Sequence, residues 1–123
     1  MAAPVSTINL DTAKRVDITC RKGDTFTISL TFTDDNGDDM PVDTHFFKIA
    51  VKDTNTYVYD VISFDEFSYE IDPGNVVTVT AQYDVMETKE AGVYVYDLQS
   101  KNGLVVKTWI YGIFKINEDI SQV

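Results

Sequence analysis

The acidic stretch at residues 34–39 is the strongest local candidate for chemistry, because carboxylate and amide oxygens bind calcium. Asp34, Asn36 and Asp38 have the one-three-five spacing of a calcium-binding loop. However, the glycine of this stretch falls at the fourth position instead of the sixth, and the twelfth position is His45 instead of glutamate. The three residues are therefore a weak calcium candidate, and a solvated hairpin tip is the favoured interpretation.

The remaining reactive side chains form no catalytic set. His45 is the single histidine and Cys20 the single cysteine, which argues against a transition-metal site and excludes an intrachain disulfide. Cys20 is interpreted as a small buried residue in a strand. Asp65, Glu66 and Glu70 resemble a glycosidase carboxylate pair only superficially, because neighbours on a strand point to opposite faces. We predict no catalytic residues, no cofactor and no enzymatic activity.

The seven tyrosines are the other abundant groups with binding chemistry. Tyrosine combines a large ring with a hydroxyl, so the set could form a sugar platform or a protein interface. Packing at the edge of the core is the favoured interpretation, and a carbohydrate-binding or adhesion module is the alternative function. The seven are Tyr57, Tyr59, Tyr69, Tyr83, Tyr94, Tyr96 and Tyr111.

Length and charge restrict the class of protein. The chain has 123 residues, which fits one domain, and a formal net charge of −10. This charge argues against binding nucleic-acid phosphates or an anionic membrane surface. No apolar run approaches the roughly 20 residues that span a bilayer. The N-terminal stretch lacks the basic start and apolar run of a signal peptide, so we expect the protein to remain in a cytoplasm or in something assembled there.

Alternation of apolar and polar residues indicates an all-β fold. Between Thr25 and Thr33 four large apolar residues alternate with Thr and Ser, which is typical of an antiparallel strand with one buried face. Asn-Gly pairs at 36–37 and 102–103 are typical of tight turns. Further strands are expected at 16–20, 45–52, 57–64, 67–71, 77–80, 93–99 and 104–117. Seven or eight strands joined by short turns predict a sandwich of two antiparallel sheets.

Two segments depart from simple alternation. Residues 84–91 can form one or two helical turns, with Asp84 capping the start, Glu87 reaching back and Gly92 ending the helix. The last strand is apolar on both faces, which is typical of a central strand or of one that meets a partner.

The last strand also carries two expectations about single residues. Its period places Trp109 and Tyr111 on one face and Ile110 on the other. Gly112 in its middle predicts a bulge or kink.

The stretch Glu90-Ala91-Gly92-Val93-Tyr94-Val95-Tyr96 resembles the immunoglobulin-fold signature in which an acid, a small residue and glycine precede Tyr-x-Cys. The resemblance implies that Tyr94 occupies the tyrosine corner, with its hydroxyl bonded back to the preceding chain. Tyr96 stands where the second cysteine would be, and Trp109 lies in the last strand. The expected fold is therefore an immunoglobulin-like sandwich without the disulfide.

A broader resemblance runs from about residue 17 to residue 117. Its motifs, in chain order, are Gly23-Asp24-Thr25-Phe26, Asp35-Asn36-Gly37, Pro41-Val42-Asp43, the segment 92–98, Asn102-Gly103 and Gly112-Ile113-Phe114. The order is similar to that in small β-sandwich domains of tailed-bacteriophage virion proteins, such as upper baseplate N-terminal domains and head-fibre or tail-fibre attachment modules.

This resemblance implies a non-enzymatic structural component of a bacteriophage virion. Such a unit would dock on a head or tail protein as an attachment or decoration unit, with capsid, collar or baseplate proteins as partners, and self-association is a further option. It would be located in the virion after assembly in the host cytoplasm. We expect an N-terminal arm at 1–14, a sandwich domain at 15–117 and a C-terminal tail at 118–123, with the arm and tail as tethers.

Overall fold

The computed structural model describes residues 13–32, 42, 45–54, 60–73 and 76–120, and the structural statements below concern these residues. They contain nine strands, a 3-10 turn (Phe64–Glu66) and one short helix, α1 (Tyr83–Met86). The strands are β1 (Lys14–Arg15), β2 (Ile18–Arg21), β3 (Phe26–Thr31), β4 (Phe46–Lys52), β5 (Asp60–Ile62), β6 (Ser68–Asp72), β7 (Val76–Ala81), β8 (Gly92–Asn102) and β9 (Val105–Asn117).

Two sheets form the domain. The larger has the order β1-β9-β8-β4-β5, with β2 also paired to β9, and the smaller has the order β3-β7-β6. The predicted all-β sandwich is confirmed, with one difference at an edge: β1 and β2 run parallel to β9, whereas the other pairs are antiparallel. The N-terminal part of the domain follows the last strand and then turns into β3 of the other sheet.

The edge next to β9 is one interrupted strand, which is why nine strands replace the expected seven or eight. Lys14 pairs with Ile110 and Ile18 with Phe114, so the register is the same on both sides of the break. At the break, the Asp17 carboxylate accepts the Ile113 backbone N–H at 3.0 Å. A side chain thus satisfies a donor that a continuous strand would have bonded. Lys14, assigned to the arm from the sequence, lies in β1.

Aromatic rings fill the core between the sheets. Phe26 of β3 contacts Phe114 of β9 with ring centroids 5.2 Å apart, and Phe114 contacts Tyr96 at 6.0 Å. Further along, Phe32 meets Trp109 edge-on at 4.9 Å. The expected buried face of the 25–33 strand is therefore confirmed. Aromatic packing fills the space between the two sheets, and no disulfide was expected there.

A bulge at Trp109 changes the facing of the last strand. The register between β8 and β9 shifts after Leu98, which makes Trp109 an extra residue. Its ring turns inward and its indole N–H donates to the Ser100 hydroxyl at 2.8 Å, while Tyr111 points outward. The expectation that Trp109 and Tyr111 share a face is therefore wrong, and the bulge lies three residues before Gly112.

Gly112 has a different role from the one expected. A Cβ atom at this position would lie 2.6 Å from the backbone oxygen of Val16, closer than such atoms approach. The glycine therefore allows the interrupted edge strand to lie against β9.

The expected short helical turn is confirmed, but it begins at Tyr83 and is capped differently. Helix α1 ends at Met86, and Gln82 occupies the N-cap without a side-chain bond. The Asp84 carboxylate accepts the N–H of the next residue, and Glu87 is the C-cap instead of a reciprocal cap. Gly92 does not end the helix; it begins β8. Short polar side chains offer local bonds at several positions, so sequence alone misplaces the cap.

The strand expected at 57–64 ends earlier in the structure. Residues 55–59 lie outside the described ranges, and β5 stops at Ile62. Ser63 then starts the 3-10 turn: its backbone N–H donates to the Glu66 carboxylate at 3.1 Å. This capping contact favours the 3-10 turn, so the strand ends although the alternation in the sequence continues.

Candidate functional site

The calcium candidate is not described by the structure, because Asp34, Asn36 and Asp38 lie outside the described ranges. Across 13–32, 42, 45–54, 60–73 and 76–120, no three His, Cys, Asp or Glu residues lie close enough together to hold a metal ion. His45 is half-buried and its ring lies 6.2 Å from that of Phe47. The helix of these ranges is too short to cross a bilayer.

The three carboxylates considered as a glycosidase pair do not converge. Glu66 forms an ion pair with Lys89 at 2.8 Å and accepts the Ser63 N–H. Burial raises the pKa of Glu66, but these two partners outweigh it and leave the pKa below its usual value. Asp65 accepts the Ser63 hydroxyl, and Glu70 is exposed on β6. Two of the three acids thus stabilise the 3-10 turn.

Cys20 lies on β2, as predicted, but it is half-buried instead of buried. Burial is the main cause that raises the pKa of its thiol to about 11, with a smaller contribution from Asp24. The thiol lies 3.6 Å from the Lys115 backbone oxygen, a weak donor contact. A thiol with so little thiolate at neutral pH is a poor nucleophile.

The tyrosines within the described ranges do not form one platform. Tyr94 bonds to the backbone of its own turn, and Tyr96 is buried with its hydroxyl donating to the Val16 oxygen. Tyr69 packs edge-on against Phe47 at 5.5 Å in the other part of the core. Tyr57 and Tyr59 are not among the described residues. Of the five described tyrosines, Tyr94 and Tyr96 are packing residues, whereas Tyr69, Tyr83 and Tyr111 are exposed, so the favoured interpretation holds for only part of the set.

One surface feature is an aromatic groove, defined by Phe46, Phe64, Phe67 and Tyr69. It has a volume of about 480 Å³. β4 pairs with β5 only at its last two residues, so within the described ranges the first part of β4 has an open edge. The 3-10 turn places Phe64 beside this edge, and Phe46 and Phe64 are 73% and 54% exposed. Such exposed rings indicate an interaction surface.

The second feature is the outer surface of the larger sheet, here called the basic face. On β4 and β8 the buried residues alternate with residues that point outward. The outward residues line a shallow groove of about 530 Å³. The basic face is defined by Arg15, Lys48, Ala50, Lys52, Asp97 and Tyr111.

Asp97 lies at the centre of the basic face. It pairs with Ala50 on one side and Tyr111 on the other. Burial is the main cause that raises the pKa of Asp97, while nearby Lys52 and Lys48 lower it and so offset part of the shift. Lys52 is partly exposed and reaches the Asp60 carboxylate at 3.6 Å, with both side chains about two-fifths exposed.

The charge of the molecule is strongly segregated. The strands of the larger sheet carry eight of the ten Lys and Arg residues but only two acids, Asp60 and Asp97, for a net charge of +6. The other residues of the chain carry two cations and eighteen acids, a net charge of −16. The eight cations are Lys14, Arg15, Arg21, Lys48, Lys52, Lys101, Lys107 and Lys115.

The sequence contains a signal for this face that was missed. Lys48 and Lys52 are separated by an even number of residues within one strand, so they share a face. The total of −10 conceals this pattern because it adds the charges of these strands to those of the rest of the chain. The net charge alone is therefore a poor guide to what each surface attracts.

Local geometry and strand order agree with the expected immunoglobulin-like fold. The Tyr94 hydroxyl donates to the Glu90 backbone oxygen at 2.7 Å, which confirms the tyrosine corner. The order β3-β7-β6 matches immunoglobulin strands B, E and D, and β9-β8-β4 matches G, F and C.

No protein-family model matches the chain, and no curated protein matches it in sequence. Among solved structures, the titin M3 domain is similar with a TM-score of 0.48 and 7% identity, over 85% of this chain and 88% of that one. The N-terminal Ig1-2 module of the Drosophila receptor protein tyrosine phosphatase DLAR has a TM-score of 0.46 and 12% identity, over 87% of this chain and 47% of that one. By its strand order and its tyrosine corner, the chain is an immunoglobulin-like β-sandwich.

Proposed function

We propose that the chain is a non-enzymatic docking unit, and that the assembly it joins is a bacteriophage virion, where it attaches to a head or tail protein. The observation that carries the docking role is the basic face, an open groove lined by three cations and one acid in a chain of net charge −10. The virion is suggested by the order of turn motifs along residues 17–117. An interaction surface on a rigid sheet needs no catalytic group to function.

Two kinds of contact would contribute to docking. The sheet surface supplies a preformed patch that steers a partner of opposite charge and fixes its orientation. The flanking segments, up to residue 12 and from residue 118, would add tethers that lie along a neighbouring protein. The arm ends before Lys14, which belongs to β1.

The proposal is tested on particles of the phage that carries the gene. Mass spectrometry of density-purified virions should detect the chain at a fixed ratio to a head or tail protein. A chain that lacks residues 1–12 should keep its thermal unfolding midpoint but show reduced incorporation. If the full-length chain is missing from the particles, the virion role is wrong; if the shortened chain incorporates normally, the tether role is wrong.

The aromatic groove favours a second function, carbohydrate binding. Phe46, Phe64 and Tyr69 offer ring surfaces, and Gln99 beside them offers an amide for hydrogen bonds to hydroxyls. If this is the function, a glycan array should give a specific signal that Phe64→Ala abolishes and Tyr83→Ala, an exposed aromatic on α1, leaves intact. An array without any signal above background would contradict this function.

A further inference from the structure

We propose that the basic face receives an acidic surface of a partner protein, with carboxylates of the partner meeting Arg15, Lys48 and Lys52. This inference rests on the proposed docking function and specifies the chemistry of the partner. The three cations line one groove from two different strands, β1 and β4. Arg15 and Lys52 form exposed ion pairs with Asp17 at 3.2 Å and with Asp60 at 3.6 Å. Such exposed pairs contribute little in water, so carboxylates of a partner can replace them.

The composition of the groove favours a protein surface as its occupant. Between the cations lie Ala50 and Tyr111, and Tyr111 is 40% exposed. A centre with apolar and aromatic groups and a polar rim is the usual arrangement of protein interfaces. Lys48 also lies 4.8 Å above the Phe64 ring, so it connects the basic face with the aromatic groove.

Asp97 argues against a nucleic acid. Its carboxylate sits in the middle of the face, where a continuous row of phosphates would have to pass. The phosphodiester backbone would meet repulsion there and has no hydrogen-bond donor to place opposite the carboxylate. A folded protein can instead place a hydrogen-bond donor opposite Asp97 and acids opposite the surrounding cations.

A second copy of the chain is also disfavoured. Its acids would be attracted at short range, but two molecules of charge −10 repel each other as they approach. A contact between the basic face of one copy and a different surface of the next would, in addition, be heterologous and would extend into open chains. A partner protein with an acidic patch is free of both difficulties.

The first experiment maps the binding surface on the full-length protein. A short poly-L-glutamate peptide is titrated into the isotope-labelled chain at low ionic strength, with poly-L-glutamine of the same length as control. We expect amide shifts at residues 48–52, 95–99 and 111–113 with the glutamate peptide alone. Shifts that are absent or that spread over the smaller sheet would overturn the proposal.

Charge reversal gives the matched comparison. Lys48→Glu and Lys22→Glu change the net charge equally, but Lys22 lies in the turn after β2 and does not line the groove. We expect Lys48→Glu to weaken peptide binding about fivefold and Lys22→Glu to leave it within about twofold. Both variants must keep the dispersed spectrum of the folded chain. Equal weakening by the two variants would show general electrostatics and refute a specific face.

A third experiment distinguishes a protein partner from a nucleic acid. A thymidine oligonucleotide with the same number of charges replaces the peptide. Weaker binding than the peptide is expected because of Asp97, whereas equal or tighter binding at the same residues would assign the face to nucleic acid and overturn the proposal.

The results that would contradict the proposed function differ from those that would contradict the partner chemistry. If the chain is absent from virions but binds the glutamate peptide on the basic face, the virion role is wrong and the partner chemistry stands. If the chain is present in virions and Lys48→Glu incorporates like Lys22→Glu, the docking role stands and the assignment of the basic face is wrong.

Discussion

Gly92 and Tyr94 together form the tyrosine corner at the start of β8. A Cβ atom at Gly92 would lie 3.2 Å from the Tyr94 hydroxyl, so the absence of a side chain leaves room for the ring to fold back. The hydroxyl then bonds to the Glu90 oxygen and fixes the turn before the strand. The sequence signature was therefore informative because both residues act within a few positions of each other.

The Tyr94→Phe variant should lose about 1 kcal/mol of unfolding free energy, because one hydrogen bond disappears without any change in ring packing. Urea unfolding followed by tryptophan fluorescence measures this loss. Tyr111→Phe is the control, since its hydroxyl lies on the exposed outer surface, and we expect almost no change. Equal losses for the two variants would show that the corner bond contributes nothing specific.

Cys20 should make stability depend on pH in the alkaline range. Its pKa is raised from 9.0 to about 11 in the folded state, so the folded chain retains the proton that the unfolded chain loses. The stabilisation is complete below pH 9 and is lost as the pH rises towards 11. Urea midpoints from pH 8 to 11 should fall less steeply for Cys20→Ala than for the parent chain. Identical slopes would contradict the raised pKa.

At the scale of the element, the edge strand depends on a close approach that the sequence does not reveal. Residues 14–21 lie beside 110–117, almost a hundred positions away, and the contact needs Gly112. Local alternation predicted a strand near residue 18, but whether it pairs in parallel or antiparallel fashion is decided by the tertiary arrangement.

The Gly112→Ala variant should detach this edge. Because the added methyl group would clash with backbone, we expect a loss of about 1–3 kcal/mol in unfolding free energy. Amide hydrogen exchange supplies the local measurement: protection should fall most at Ile18–Cys20 and least at Ile28 in β3 of the other sheet. A uniform fall over both sheets would mean that the glycine supports the fold in some other way.

The bulge at Trp109 shows the same limit of sequence reasoning. The period of two correctly predicted a long strand, but the extra residue appears only when β9 is paired with β8. The Trp109 ring is held inside by Phe32 and by the Ser100 hydroxyl. Neither contact can be recognised from the pattern of residues along the chain. Periodicity thus predicts the existence of a strand better than the direction of each of its side chains.

At the scale of the whole molecule, the basic face could have been predicted only in part. Lys48 and Lys52 can be recognised from the sequence because they share a face of one strand. Arg15 lies near them only because of the order of strands in the sheet. Adding the charges along the chain loses this information. The aromatic groove has the same origin, since Phe46 and Phe64 meet only when β4 and the 3-10 turn are placed side by side.

This asymmetry should be visible in chromatography. At pH 7 the chain carries −10, yet we expect weak retardation on a sulfonate cation exchanger that is strongest near 0.1 M salt. At that concentration the screening length is about 10 Å, so the resin interacts with the nearest cations and hardly with acids that lie further away. The Lys48→Glu variant should elute earlier than Lys22→Glu. Elution of both at the void volume at every salt concentration would contradict a localised positive surface.

The interrupted edge strand also determines where the two ends of the domain lie. Because it runs parallel to β9, the chain enters beside Ile110 and leaves after Asn117, next to Arg21. These positions are seven residues apart along the strand, or about 23 Å. Polypeptide attached before and after the domain therefore departs from opposite poles. Held at both ends, the sandwich would act as a strut that spaces its attachments, with the basic face along its flank.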